Sequence, residues 1–159
     1  MKRALFSGIL AVLFTAGVLA QAKPNFAGTW TLDLDKSVMA GGGGRQGGMG
    51  QQPLTITVDG PKMSISRTMG QSGNTVTTVY MLDGTESKNQ QMGRQGGEPV
   101  TITYVSKWEG SVLVTTITNP RGTSTEKRWI EADGTMVVEQ TRTGPNGTPV
   151  TAKLVYKKS

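Results

Sequence analysis

Gly28-Thr29-Trp30-Thr31-Leu32-Asp33-Leu34 sets an apolar side chain at every second position, with Trp30, Leu32 and Leu34 on one face and Thr29, Thr31 and Asp33 on the other. Such a period of two is the mark of a strand buried on one side. The same reading extends outward. Leu54–Asp59 offers the row Leu54/Ile56/Val58, and Met63–Met69 offers Met63/Ile65/Arg67/Met69. Thr75–Leu82, Val100–Trp108, Ser111–Asn119, Thr123–Ala132, Thr135–Arg142 and Val150–Lys157 follow, rich in Thr, Val and Ile. Thr85–Gln91, more polar than the rest, completes ten candidate strands. No segment after Ala22 carries a helical period, so the expected class is all-β.

The connections set the expected architecture. Asp59-Gly60, Asp83-Gly84, Glu109-Gly110 and Asp133-Gly134 are tight hairpin signals. Asp35–Pro53, Gly70–Asn74, Asn89–Pro99, Asn119–Gly122 and Gly144–Thr148 read as longer loops. In an up-and-down chain the tight turns fall at one end and the longer loops at the other. A meander of this length has edge strands to protect, and closure removes them. The expected fold is an up-and-down antiparallel β-barrel of 8–10 strands, closed at one end, with a loop-framed mouth. Connections this short argue against a Greek-key sandwich.

The first 22 residues read as a signal peptide. Lys2 and Arg3 precede an apolar run from Ala4 to Ala20, and Ala20-Gln21-Ala22 forms an A-x-A cleavage site. The expected organisation is 1–22 signal peptide and 23–159 one barrel domain, with flexible Gly-rich loops at 40–52 and 89–98. Cleavage would leave no stable membrane anchor and would place the protein in a periplasm or outside the cell. Removing Lys2 and Arg3 lowers the formal net charge of +6 by two. The remaining Lys and Arg are scattered without stacking aromatics, so no nucleic-acid partner is expected.

The 159-residue chain contains no cysteine and no histidine. Thiolate and imidazole metal centres are therefore not expected, nor are Ser-His-Asp or Cys-His nucleophile systems. The nearest carboxylate pairs, Asp33/Asp35 and Glu126/Glu131, fall on faces read as outward or near turns. No enzyme activity, cofactor or metal is expected.

Asn25-Phe26-Ala27-Gly28-Thr29-Trp30-Thr31-Leu32 resembles the opening strand of the calycins, the lipocalins and fatty-acid-binding proteins, where G-x-W starts the barrel and the Trp plugs one end. Thr125–Val138 is similar to the late hairpin of fatty-acid-binding proteins, and Leu154-Val155-Tyr156-Lys157-Lys158 to their closing strand. The resemblance implies a ligand-binding barrel in which Gly28 and Trp30 are structural. Three departures accompany it. The interval that holds a helical lid in fatty-acid-binding proteins is here Ser37–Gln52, dominated by glycine. Of their Arg-x-Tyr pair only Tyr156 is matched, with Leu154 at the arginine position. The arginine of their late hairpin aligns with Trp129. The barrel is thus implied more firmly than fatty-acid binding.

Within such a barrel, Arg67 interrupts the Met63/Ile65/Met69 row, and Gln140 and Arg142 extend the Met136/Val138 row. If these rows face inward, Arg67, Gln140, Arg142 and Tyr156 converge as an anion clamp; alternatively the arginines snorkel to solvent beside the mouth. Tyr80, Tyr104 and Trp108 alternate with apolar neighbours and line either a cavity or the core. The candidate ligand-binding set is Arg67, Tyr80, Tyr104, Gln140, Arg142 and Tyr156. The expected function is an exported lipocalin-like barrel holding a small hydrophobic or amphipathic ligand. The rival is a filled barrel acting as a non-enzymatic envelope or interaction module.

Overall fold

A computed structural model describes residues 22–39, 52–69, 73–91, 97–144 and 146–159. The signal segment therefore lies outside the described residues up to Gln21. So do 40–51 and 92–96 of the two Gly-rich loops, while Asn89–Gln91 belong to a strand.

Ten strands are formed: β1 (Gly28–Val38), β2 (Leu54–Asp59), β3 (Lys62–Met69), β4 (Asn74–Met81), β5 (Glu86–Gln91), β6 (Val100–Glu109), β7 (Val112–Asn119), β8 (Gly122–Ile130), β9 (Met136–Thr143) and β10 (Pro149–Lys158). They make one antiparallel sheet in the order β4-β3-β2-β1-β10-β9-β8-β7-β6-β5, with no helix among the described residues. Each strand pairs with its sequence neighbours, apart from β4 and β5, and β1 also pairs with β10. The sheet thus curls into a nearly closed barrel.

The two ends of that sheet order, β4 and β5, meet through side chains instead of a backbone ladder. The Val79 amide donates to Asn89 Oδ1 at 2.8 Å, and the Val79 carbonyl accepts from Asn89 Nδ2 at 2.9 Å and Ser87 Oγ at 2.7 Å. One asparagine side chain does for Val79 what a neighbouring strand would do.

The hairpin signals mark true turns. Asp83-Gly84-Thr85 and Asp133-Gly134-Thr135 repeat one device: the Asp carboxylate accepts from the amide and the hydroxyl of the Thr, while the glycine takes a positive φ of 90° or 82°. At the opposite end the β7–β8 connection is shorter than expected. Pro120-Arg121 alone joins the strands, and Asn119 Oδ1 accepts from the Arg121 amide at 2.8 Å. Asn-Pro starts a turn as readily as Asp-Gly.

The core sits at the end where β1 begins. Trp30 is 1% exposed, and its indole N–H donates to the Phe26 carbonyl at 2.8 Å. The Phe26 ring stacks on Trp108 at 5.8 Å, and Lys158 caps the Trp30 ring at 5.5 Å. Gly28 has φ 134°, and a Cβ there would lie 2.7 Å from Lys158 Cε. Leu54, Ile56, Met63, Leu113 and Met136 complete this floor.

Two expected core positions are corrected. Leu34 is 49% exposed because the β1–β10 register shifts between Asp33 and Val38. There Ser37 Oγ donates to the Asp33 carbonyl and accepts from the Val155 amide, so the bulge consumes the alternation that would have turned Leu34 inward. Val58 lies next to the Gly60 turn, where the inner row reaches the rim, and is exposed.

Candidate functional site

Cross-strand register fixes which side chains share the interior. Arg128 lies opposite Leu113 on one side and Val138 on the other, both members of the core. Glu126 lies opposite Thr115 and Gln140. Both charged residues therefore point inward from β8, at 3% exposure for Glu126 and 1% for Arg128.

The two form a buried ion pair, Arg128 Nη2 donating to Glu126 Oε1 at 2.6 Å. The other carboxylate oxygen accepts from Gln140 Nε2 at 2.8 Å. Among the described residues, Arg128 Nη1 reaches only the thioether of Met136, at 3.8 Å, and Arg128 Nε has no partner. The guanidinium lies over the Tyr80 ring at 5.8 Å, and Tyr80 packs edge-on against Tyr104 at 5.0 Å. Ser106 and Thr115 share a buried hydroxyl–hydroxyl bond of 2.9 Å. The interior is thus apolar at its floor and polar above it.

The electrostatics follow from this packing. Burial works to raise the Glu126 carboxyl, but the Arg128 charge, its hydrogen bond and the Gln140 amide prevail, so it lies below the ordinary carboxylate value. Burial likewise disfavours charge on Arg128, and Glu126 outweighs it to hold the guanidinium charged. Burial, joined by the Glu126 charge, pushes the Tyr80, Tyr104 and Tyr156 hydroxyls up. All three remain neutral O–H groups at physiological pH.

The sequence-derived candidates separate into two levels. Tyr80, Tyr104 and Tyr156 are buried within the interior. Arg67, Gln140 and Arg142 occupy inward rows, opposite Leu54, Glu126 and Ser124 respectively, yet are exposed. An inward-facing side chain that reaches solvent marks the open half of the barrel. Arg67 acts across the interior, its charge opposing the upward shifts of all three tyrosines. Gln140, on the exposed level, also bonds to the buried pair, and the Arg67 charge acts on Glu126 as well.

The sequence pattern puts Glu126 on an outward face and aligns Trp129 with the arginine of the late hairpin. The structure turns Glu126 inward. Trp129 turns outward, opposite Val137, and donates to Glu131 Oε1 at 2.9 Å, while its neighbour Arg128 enters the barrel.

Outside the barrel, a groove of about 460 Å³ lies at the closed end beside Lys23, Phe26, Val58 and Trp108, with Lys23 over the Trp108 ring at 5.5 Å. Among the described residues no group of three or more metal-ligating side chains could hold a metal ion.

No protein-family model matches the chain, and no curated protein matches it at a significant level. Solved structures do match. The fluorescent protein UnaG superposes with a TM-score of 0.58 at 24% identity, covering 84% of this chain and 97% of that one. A REP1-NXSQ fatty acid transporter superposes with a TM-score of 0.55 at 18% identity, covering 84% and 95%. The likeness is one of fold: this chain forms the same kind of antiparallel β-barrel as these two proteins.

Proposed function

We propose that this chain is an exported, non-catalytic binding protein that holds one small apolar or amphipathic molecule inside its barrel. The carrying observation is the graded interior. A packed apolar floor leads up to a buried polar cluster with an unfilled donor on Arg128, and then to inward residues that reach solvent. That gradient matches an amphipathic guest more closely than a structural core does, because cores leave few polar groups unpaired. The likeness in fold to a protein described as a fatty acid transporter supports the same reading.

Entry is proposed at the end where Arg67 and Arg142 lie, with the opposite end stopped by Phe26, Trp30 and Trp108. Native mass spectrometry of protein recovered from its own host tests the reading through a retained adduct. Bare polypeptide mass, together with no uptake of an apolar fluorophore by the recombinant protein, would instead establish a filled barrel.

A further inference from the structure

The Glu126–Arg128 pair constrains what can lie beside it. Its two charges cancel, and both carboxylate oxygens are engaged, one by Arg128 and one by Gln140. What is left over, among the described residues, is donor capacity: Arg128 Nε without a partner, and Nη1 facing only the Met136 sulfur. A guanidinium offers five N–H donors and no acceptor, so the spare capacity calls for an acceptor atom. Among the described residues, the other inward cations on β3 and β9, Arg67 and Arg142, are exposed, whereas Arg128 is almost wholly buried.

We propose that the deep end of the barrel selects an uncharged acceptor oxygen, such as the carbonyl of an ester or ketone, and rejects a carboxylate. This rests on the binding reading above. A guest carboxylate reaching Arg128 would share its guanidinium with Glu126, placing two like charges in one low-dielectric site with Arg128 as its buried cation and Arg67 acting on it only from an exposed position. A neutral carbonyl accepts from the same unfilled donor without that repulsion. Glu126 stays ionised at neutral pH, since Arg128 and Gln140 hold its carboxyl low against the effect of burial. Protonation of the protein therefore does not relieve the conflict there.

The test is displacement of N-phenyl-1-naphthylamine, a neutral fluorophore, from the delipidated protein at pH 8. The competitors are dodecanoic acid, its methyl ester and dodecane. The ester is expected to bind about tenfold more tightly than the acid, equivalent to about 1.4 kcal/mol, and more tightly than the alkane. Glu126→Gln keeps the side-chain shape and removes the charge; its new N–H replaces one acceptor, so the Gln140 amide must turn its oxygen toward it. The substitution should erase the discrimination, bringing the ester-to-acid affinity ratio to within about twofold of one. Acid binding as tight as ester in the parent protein overturns the proposal without recourse to any variant. An acid-to-ester ratio unchanged in Glu126→Gln overturns it as well. Failure of the protein to take up the fluorophore would remove the binding reading itself, which is a separate result.

Discussion

Asn89→Ala should open the seam between β4 and β5. The Asn89 side chain accepts from the Val79 amide at 2.8 Å and donates to the Val79 carbonyl at 2.9 Å. A net intramolecular hydrogen bond is worth about 0.5–1.5 kcal/mol, so losing two costs about 1–3 kcal/mol. The two Val79 groups fare differently. Its carbonyl keeps the Ser87 hydroxyl at 2.7 Å, whereas its amide has no substitute acceptor in the seam. The loss should therefore fall in the upper part of that range, about 2–3 kcal/mol, because an orphaned donor carries its desolvation cost. For a chain of this size, 1 kcal/mol shifts Tm by about 2–4 °C, so thermal melting should drop by roughly 4–12 °C. Ser87→Ala provides the internal control, since Asn89 Nδ2 still serves the carbonyl; its cost should stay near 1 kcal/mol. Amide hydrogen exchange resolves the site: Val79 protection should collapse in Asn89→Ala and persist in Ser87→Ala. Equal losses for the two variants, or an unchanged Val79 exchange rate, would refute the claim that one side chain closes the barrel.

Three further outcomes follow from the same packing. Arg128→Met should destabilise by about 3–5 kcal/mol in chemical denaturation, because it leaves the Glu126 carboxylate buried without its cation; replacing both residues with apolar ones should recover most of that loss. In the parent protein, the Glu126 carboxyl lies below its ordinary value of 4.5 in the folded state. Its contribution is therefore present above that value and lost as pH falls below it, so stability measured from pH 6 downward should decline, and Glu126→Gln should flatten the decline. Gly28→Ala should lower Tm, since φ 134° strains any residue with a Cβ, whereas the 2.7 Å approach of Lys158 Cε is relieved by a shift of that flexible side chain; adding Lys158→Ala should therefore recover little.

Most of the wall is legible in the sequence because its rows alternate cleanly. Trp30 and Leu32, Leu54 and Ile56, and Met63 and Ile65 all face the core as their period requires. The strand hardest to read, β5, is informative in its weakness. Its inward row is Ser87 and Asn89, polar because these side chains stand in for backbone pairing that β4 does not supply. Low apolar content there is a consequence of the seam. Leu34 departs from expectation for the opposite reason: the alternation continues in the sequence past Asp33, but the bulge held by Ser37 breaks the phase. Nothing in a period-two pattern announces a bulge.

The site is legible at its rim and illegible at its centre, and the cause is the same assumption in both places. Arg67, Gln140 and Arg142 stand out because each continues a row already anchored by apolar neighbours on its own strand. On β8 and the residue after it, Ser124, Glu126, Arg128 and Ile130 form one face, and Thr125, Lys127, Trp129 and Glu131 form the other. The tryptophan gives the Trp129 face the character of an inner row. Polarity on a single strand cannot decide between them when the inner face carries an ion pair. Cross-strand partners can. With β7 anchored by Leu113 and β9 by Met136 and Val138, pairing puts Arg128 opposite Leu113 and Val138, and so indoors. An interior that keeps Glu126 and Arg128 against an alternative of simple hydrophobic packing accepts the cost of desolvating two charges. In a wall otherwise built from ordinary β-barrel rows, that cost, together with the Arg128 donor left without a partner among the described residues, is the ground on which a guest at the polar centre is proposed.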